Sequence, residues 1–152
     1  MRAAVLLTTV LLLACTGASV NEDELEQKEV IQAPGALEGL PFSSAVRVDD
    51  MLYLSGQIGN LPGTRNLAPG GPAEEARQAL ENIKGILEYA GSSMDRVVKC
   101  TVFLLDINDY AAVNEVYSTY FPQDPPARSA LAATGLALGS QVEIECFALA
   151  GR

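Results

Sequence analysis

The stretch Arg96-Val97-Val98-Lys99-Cys100-Thr101-Val102-Phe103-Leu104-Leu105 decides the fold. It is rich in β-branched and aromatic residues, which suit a pleated strand surface. Side chains of a strand alternate between its two faces. Here both sets are largely apolar, with Val98, Cys100, Val102 and Leu104 on one side and Val97, Thr101, Phe103 and Leu105 on the other. Such a strand has to be covered on both faces.

Working outward from it, the segment before the strand carries Ala76, Leu80, Ile83, Leu87 and Ala90 on one helical face, bracketed by Pro72 and Gly91. Proline just inside a helix start and glycine just past its end is the expected asymmetry. After the strand, Asp106 or Asn108 can cap a second helix whose apolar side is Tyr110, Val113, Val116, Tyr117 and Tyr120. Pro122, Pro125 and Pro126 end it, and Ser129–Thr134 and Gln141–Ala150 supply two further strands. Upstream, Ala45–Val48 and Met51–Leu54 flank Asp49 and Asp50 as a hairpin with an acidic turn. The glycine- and proline-rich run GQIGNLPGTRNLAPGGP, residues 56–72, is expected to be an irregular and partly mobile loop.

The order is strands, helix, strand, helix, strands, which predicts an α+β domain with two helices on one face of a mixed sheet. Two helices cover one face only. The other face of the central strand is apolar as well, and nothing remains in the chain to bury it, so association through the sheet is expected.

The chain has 152 residues, ten basic against nineteen acidic, and a formal net charge of −9. That charge repels phosphate backbones, and no run of Lys or Arg reverses it locally, so nucleic acid is not an expected partner. The sequence contains no histidine. This removes Ser-His-Asp and Cys-His nucleophiles, imidazole bases and histidine metal ligation together, and a carboxylate is the general base that remains. The three cysteines, Cys15, Cys100 and Cys146, have no C-x-x-C spacing, and no metal site is expected. Cys100 and Cys146 lie on different predicted strands, and spacing alone leaves open whether they pair.

Residues 1–18 read as an export signal: Arg2 is a short positive region and Val5–Ala14 an apolar run too short to span a bilayer. Leu12-Leu13-Ala14-Cys15 resembles a lipobox, which would make Cys15 a lipid anchor and the only route to a membrane. Residues 19–29 read as a charged tether, so the expected localisation is exported, either periplasmic, lipid-anchored or secreted. Residues 30–152 form the expected folded domain.

Several of these stretches resemble the reactive intermediate deaminase (Rid, or YjgF) family: SGQI at 55–58, NIKGILEYAGSS at 82–93, VVKCTVFLLDINDYAAVNEVY at 97–117, PARS at 126–129 and VEIE at 142–145. They come in family order, and the resemblance covers the chain from about Val30 onward. It implies a chorismate-mutase-like fold of the bacillary type, a homotrimer with clefts between subunits, no cofactor, and hydrolysis of 2-imino or 2-enamino acids to 2-oxo acids and ammonia. A trimer of the same fold that binds small ligands, or acts like a chaperone without turnover, is the alternative.

Within that resemblance Arg128 of PARS matches the residue that grips the substrate carboxylate, and its planar fork suits the task chemically. Outside it, Arg128 reads as an exposed loop arginine. Glu143 of VEIE matches the glutamate that activates water, with Glu145 on the same strand face, although both also fit solvated strand positions. Ser55 and Asn114 match positions lining the cleft, and each could instead be a structural polar group. Phe42 stands where the family often carries tyrosine and Ala130 where it often carries cysteine, implying a drier pocket that favours apolar side chains. The backbone around Ala130 could still contact the substrate.

Overall fold

A computed structural model describes residues 28–151 of the chain. The export signal at residues 1–18, Cys15, and all of the tether but its last two residues lie outside the described residues. Glu29, counted in the tether, begins the first strand and pairs with Arg47.

Among the described residues seven strands form one sheet: β1 (Glu29–Ile31), β2 (Ala45–Val48), β3 (Met51–Leu54), β4 (Gln57–Ile58), β5 (Val97–Leu104), β6 (Ala127–Ala132) and β7 (Val142–Leu149). Two helices, α1 (Pro72–Tyr89) and α2 (Tyr110–Tyr120), complete the domain. The strand order is β1-β2-β3-β7-β5-β6, with β4 pairing separately to β7. All pairings are antiparallel except β5 with β6. This is the α+β arrangement expected, and α2 is the crossover that the parallel β5–β6 pair requires.

The helices lie on one face. Leu52, Leu80, Ile83, Leu87, Leu104 and Ile144 are fully buried between sheet and helices, each contributing about 1.5–3 kcal/mol relative to exposure. Pro72 occupies the first turn of α1, and Gly91 follows its end with φ of 75°. The hairpin turns at Asp49 and Asp50 as expected. Asp106 caps a short 3-10 turn, Ile107–Asp109, that leads into α2, by accepting from the Asn108 backbone N–H.

Two expectations need correction. Strict alternation along β5 fails at its start, because the pairing with β7 shifts register between Val97 and Lys99. The bulge turns Val97 into the core and leaves Val98 exposed, the reverse of the simple pattern. The 56–72 segment is irregular but tied down. Its first residues form β4 against β7, Asn60 bridges Leu67, and the Asn82 side chain of α1 donates to the Ile58 and Asn60 carbonyls at 3.2 and 3.0 Å.

The buried Glu75 carboxylate in the first turn of α1 accepts from the Gln141 backbone N–H at 2.7 Å and from its side-chain amide at 3.0 Å. It thereby fixes the approach to β7. A Cβ on Gly59 would lie 2.5 Å from the Glu75 Cα, so the loop packs this closely only with glycine there.

Cys100 and Cys146 stand directly opposite each other on β5 and β7 and are joined by a disulfide on the helix-covered face. The other face is open. Tyr53 stacks against Phe147 there with ring centroids 5.2 Å apart, and Phe103 and Leu131 lie alongside on β5 and β6. Tyr53 is 43% and Leu131 46% exposed, an apolar surface without cover among the described residues.

Candidate active site

The expected site residues fall into two groups. Register defines the first: Arg128 sits beside Cys100, whose side chain faces the helices, so Arg128 points to the helix side at the β6 edge. There it is cradled by α2. Its guanidinium lies 4.6 Å from the centre of the Tyr117 ring and 5.5 Å from that of Tyr110, and Nη2 donates to Tyr110 Oη at 3.0 Å. Tyr110, Asn114 and Tyr117 are spaced i, i+4 and i+7, which brings them onto one stripe of the helix. Asn114 is half-buried beside Tyr110, and Ala130 follows Arg128 two residues along the same strand face.

Arg128 is in no ion pair among the described residues. A guanidinium held flat by aromatic rings, with its other donors unclaimed by a protein carboxylate, is preorganised for an external one. Burial raises the Tyr117 phenol to about 12 despite the nearby guanidinium, and its hydroxyl has no partner within the described residues.

The second group surrounds Glu143. This residue is opposite Phe103, three positions from Cys146, and therefore on the open face of the sheet. It borders a cavity of about 720 Å³ whose wall includes Phe42, Gly56, Ile58, Ile86 and Leu138. Burial in these surroundings, and secondarily the charge of Glu145, pushes the Glu143 carboxyl above its ordinary range. Gly56 is pressed so closely to Glu143 that any Cβ there would collide with Oε1 of the carboxylate. Ser55 does not point its hydroxyl at Glu143. It donates to the Ser43 carbonyl at 2.7 Å, and its backbone N–H donates to the Ser44 carbonyl at 3.1 Å. Ser55 thus pins the segment that carries Phe42 along the cavity wall.

Arg128, Asn114 and Ala130 are thus gathered at the β6 edge on the helix side, whereas Glu143 lies on the open face of β7, where it and Phe42 line one cavity. One chain does not bring Arg128 and Glu143 to a common substrate. Sequence reasoning missed Tyr110 and Tyr117 as partners of Arg128, having counted them only as apolar helix residues. Their i, i+7 spacing around Asn114 was the available signal. It also missed Gly56, although it lies in the SGQI motif.

A family model described as Endoribonuclease L-PSP matches residues 30–150. The chain is 49% identical over 120 residues to a mouse protein named 2-iminobutanoate/2-iminopropanoate deaminase, covering 79% of this chain and 87% of that one. It is 50% identical over 120 residues to the human protein of the same name, covering 79% and 86%. Among solved structures it resembles that of E. coli TdcF with bound serine, with a TM-score of 0.74, 34% identity, and coverage of 80% of this chain and 98% of that one.

These findings correct the expectation of export. The mouse and human relatives carry the name of a deaminase, a name that describes no exported or lipid-anchored protein, and the matched region begins after the segment on which export and lipidation of Cys15 rested. Among the described residues no helix is long and apolar enough to cross a membrane. Neither the exported localisation nor the lipid anchor is retained. The sheet and helices, the ordered PARS and VEIE motifs, and a match spanning residues 30–150 agree, and the chain belongs to the Endoribonuclease L-PSP family, also called the Rid or YjgF family.

Proposed function

We propose that the chain is a cofactor-free hydrolase that converts 2-imino acids, and the 2-enamino acids in equilibrium with them, to 2-oxo acids and ammonia. The observation that carries this reading is Arg128, presented between Tyr110 and Tyr117 without a carboxylate partner among the described residues. Relatives at about half identity are named deaminases of 2-iminobutanoate and 2-iminopropanoate, and a solved relative holds serine, an amino acid with the same carboxylate handle.

The chemistry needs an anchored acid group, a directed water and a route for protons. Arg128 grips the carboxylate in two parallel hydrogen bonds. Glu143, ionised, takes a proton from water as its oxygen adds to the C=N carbon. That proton is passed to the nitrogen, giving an amino alcohol, which collapses as Glu143 relays the remaining hydroxyl proton to the nitrogen too: the oxygen re-forms a carbonyl, the C–N bond breaks and ammonia leaves. A carboxyl raised above its ordinary range is suited to both transfers.

Because Arg128 and Glu143 face opposite ways in one chain, this reading requires a site shared between neighbouring subunits. The Arg128 edge of one subunit closes over the Glu143 cavity of the next, in a homotrimer whose open sheet faces are buried inward. Phe42, Ile58 and Leu138 then receive the substrate side chain, which favours apolar 2-imino acids. The net charge of −9 opposes an RNA substrate despite the ribonuclease in the family's description.

The test is ammonia release from imines made in situ by an amino acid oxidase, with the full chain added. Acceleration that Arg128→Ala abolishes is the expected result, and an unchanged rate in that variant removes the clamp. If the wild type accelerates nothing, yet crystals soaked with 2-oxo acids hold them at Arg128, the binding-protein alternative takes its place.

A further inference from the structure

We propose that Tyr110 is a substrate-binding residue, its phenol O–H donating to the carboxylate that Arg128 holds; this rests on the deaminase reading of the same site. Two observations carry it. Arg128 Nη2 donates to Tyr110 Oη at 3.0 Å, so the phenol oxygen serves as an acceptor and its own proton is not directed at the arginine. Among the described residues the Tyr110 O–H donates to no protein acceptor. A phenol offers one donor and a small acceptor capacity. With Arg128 on the acceptor side and no protein acceptor taking the proton, the O–H hydrogen can turn toward the space in front of the guanidinium where a carboxylate binds.

Tyr110 is 41% exposed, which leaves its hydroxyl reachable by a ligand. Its neighbours also change its strength as a donor. The Asn114 hydrogen bond first, and the Arg128 charge second, hold the phenol below its ordinary range, and a more acidic phenol forms a stronger hydrogen bond to an anion. The charged group acting on it is Arg128 from β6, and a guanidinium has no acceptor to compete for its proton.

This gives the site a phenol on its arginine side. The resemblance places one on the glutamate side, at position 42, where this chain has Phe42. Tyr110 therefore supplies from α2 a donor that the cavity wall lacks, and the substrate acid group receives three donors from one edge, two from Arg128 and one from Tyr110.

The test is Tyr110→Phe in the full chain, which preserves the ring beside Arg128 and removes only the hydroxyl. Two readouts are needed: steady-state kinetics of imine hydrolysis, and calorimetric titration with 2-oxobutanoate. The expected result is a KM for the imino acid and a Kd for 2-oxobutanoate each raised about tenfold or more, the worth of one hydrogen bond to a charged group, with kcat changed far less. Equal affinities in variant and wild type overturn the proposal, as does a loss confined to kcat. A wild type that binds 2-oxobutanoate but hydrolyses no imine defeats the deaminase reading alone, and the titration still decides Tyr110. A wild type that binds no 2-oxo acid defeats both.

Discussion

Arg128 and Glu143 point to opposite faces of a single sheet, on strands β6 and β7 separated by β5. No rotation of either side chain brings them around the sheet to one small molecule. A pair of groups that act together must then meet across a boundary between copies, and the apolar open face bearing Tyr53, Phe147 and Leu131 supplies the reason for copies to associate.

This geometry predicts complementation. Arg128→Ala and Glu143→Gln should each be inactive alone, because every site lacks one partner. Co-expressed, they should regain about a quarter of wild-type activity, since random pairing of subunits places an intact Arg128 opposite an intact Glu143 at one boundary in four. Sedimentation establishes that mixed assemblies form. Mixed assemblies of the right size with no recovered activity would sink the shared site.

Gly56 is predicted to be as sensitive as the acid it touches. A methyl group there has to displace the Glu143 carboxylate, since it would overlap Oε1 directly. Moving a catalytic carboxylate by about 1 Å costs on the order of a hundredfold. Gly56→Ala should therefore lower kcat by one to two orders of magnitude, roughly, while circular dichroism and assembly size stay as in the wild type. Activity within a factor of about two of wild type would show that the carboxylate has room to retreat.

The shifted Glu143 carboxyl makes a paired prediction for pH. Burial is the larger cause of the raised value and Glu145 the smaller. On the proposed mechanism the base works ionised, so activity should fall on acidification at a pH above the ordinary carboxylate range. Glu145→Gln, which removes the repelling neighbour, should move that acid limb to lower pH. Stability carries the opposite sign. A carboxyl whose folded value exceeds its unfolded value favours the native state when protonated, and this benefit disappears as pH rises from the unfolded to the folded value. At neutral pH the ionised Glu143 is thus a cost, and Glu143→Gln should melt no lower than wild type while losing activity. A variant that melts several degrees lower at neutral pH would mean that Glu143 stabilises the fold.

The fold was legible because periodicity carried it. The i, i+3, i+4 apolar positions of α1, with Pro72 and Gly91 at its ends, and the doubly apolar β5 specify a helix-covered sheet with a second face to bury. The bulge at Val97 was not legible, since a register shift depends on the partner strand and leaves no mark in its own sequence. PARS and VEIE marked the candidate residue types but not their arrangement. That Arg128 and Glu143 face apart follows from pairing β5 between β6 and β7, a tertiary fact. Tyr110 and Tyr117 read as apolar helix residues because an aromatic ring suits a core and a guanidinium equally. Glu75 gave no signal, because a buried carboxylate satisfied by a backbone amide sixty-six residues away has no local pattern.

The last prediction concerns the Cys100–Cys146 disulfide, which joins directly opposed residues of β5 and β7 across a sequence separation of 46. Both residues are fully buried, so a reductant should not reach the bond while the domain is folded. Once the chain unfolds, the bond shortens the free chain and lowers its entropy, an effect worth about 2–4 kcal/mol for loops of this class. Urea unfolding should therefore show a higher midpoint without reductant than with it. The slope should also be shallower without reductant, because a cross-linked chain exposes less surface on unfolding. Thiol titration provides the independent check: of the three cysteines, the unfolded but unreduced chain should offer one to the reagent and the reduced chain all three. Coincident unfolding curves together with three free thiols before reduction would mean that Cys100 and Cys146 merely pack together, and that hydrophobic burial alone holds β5 against β7.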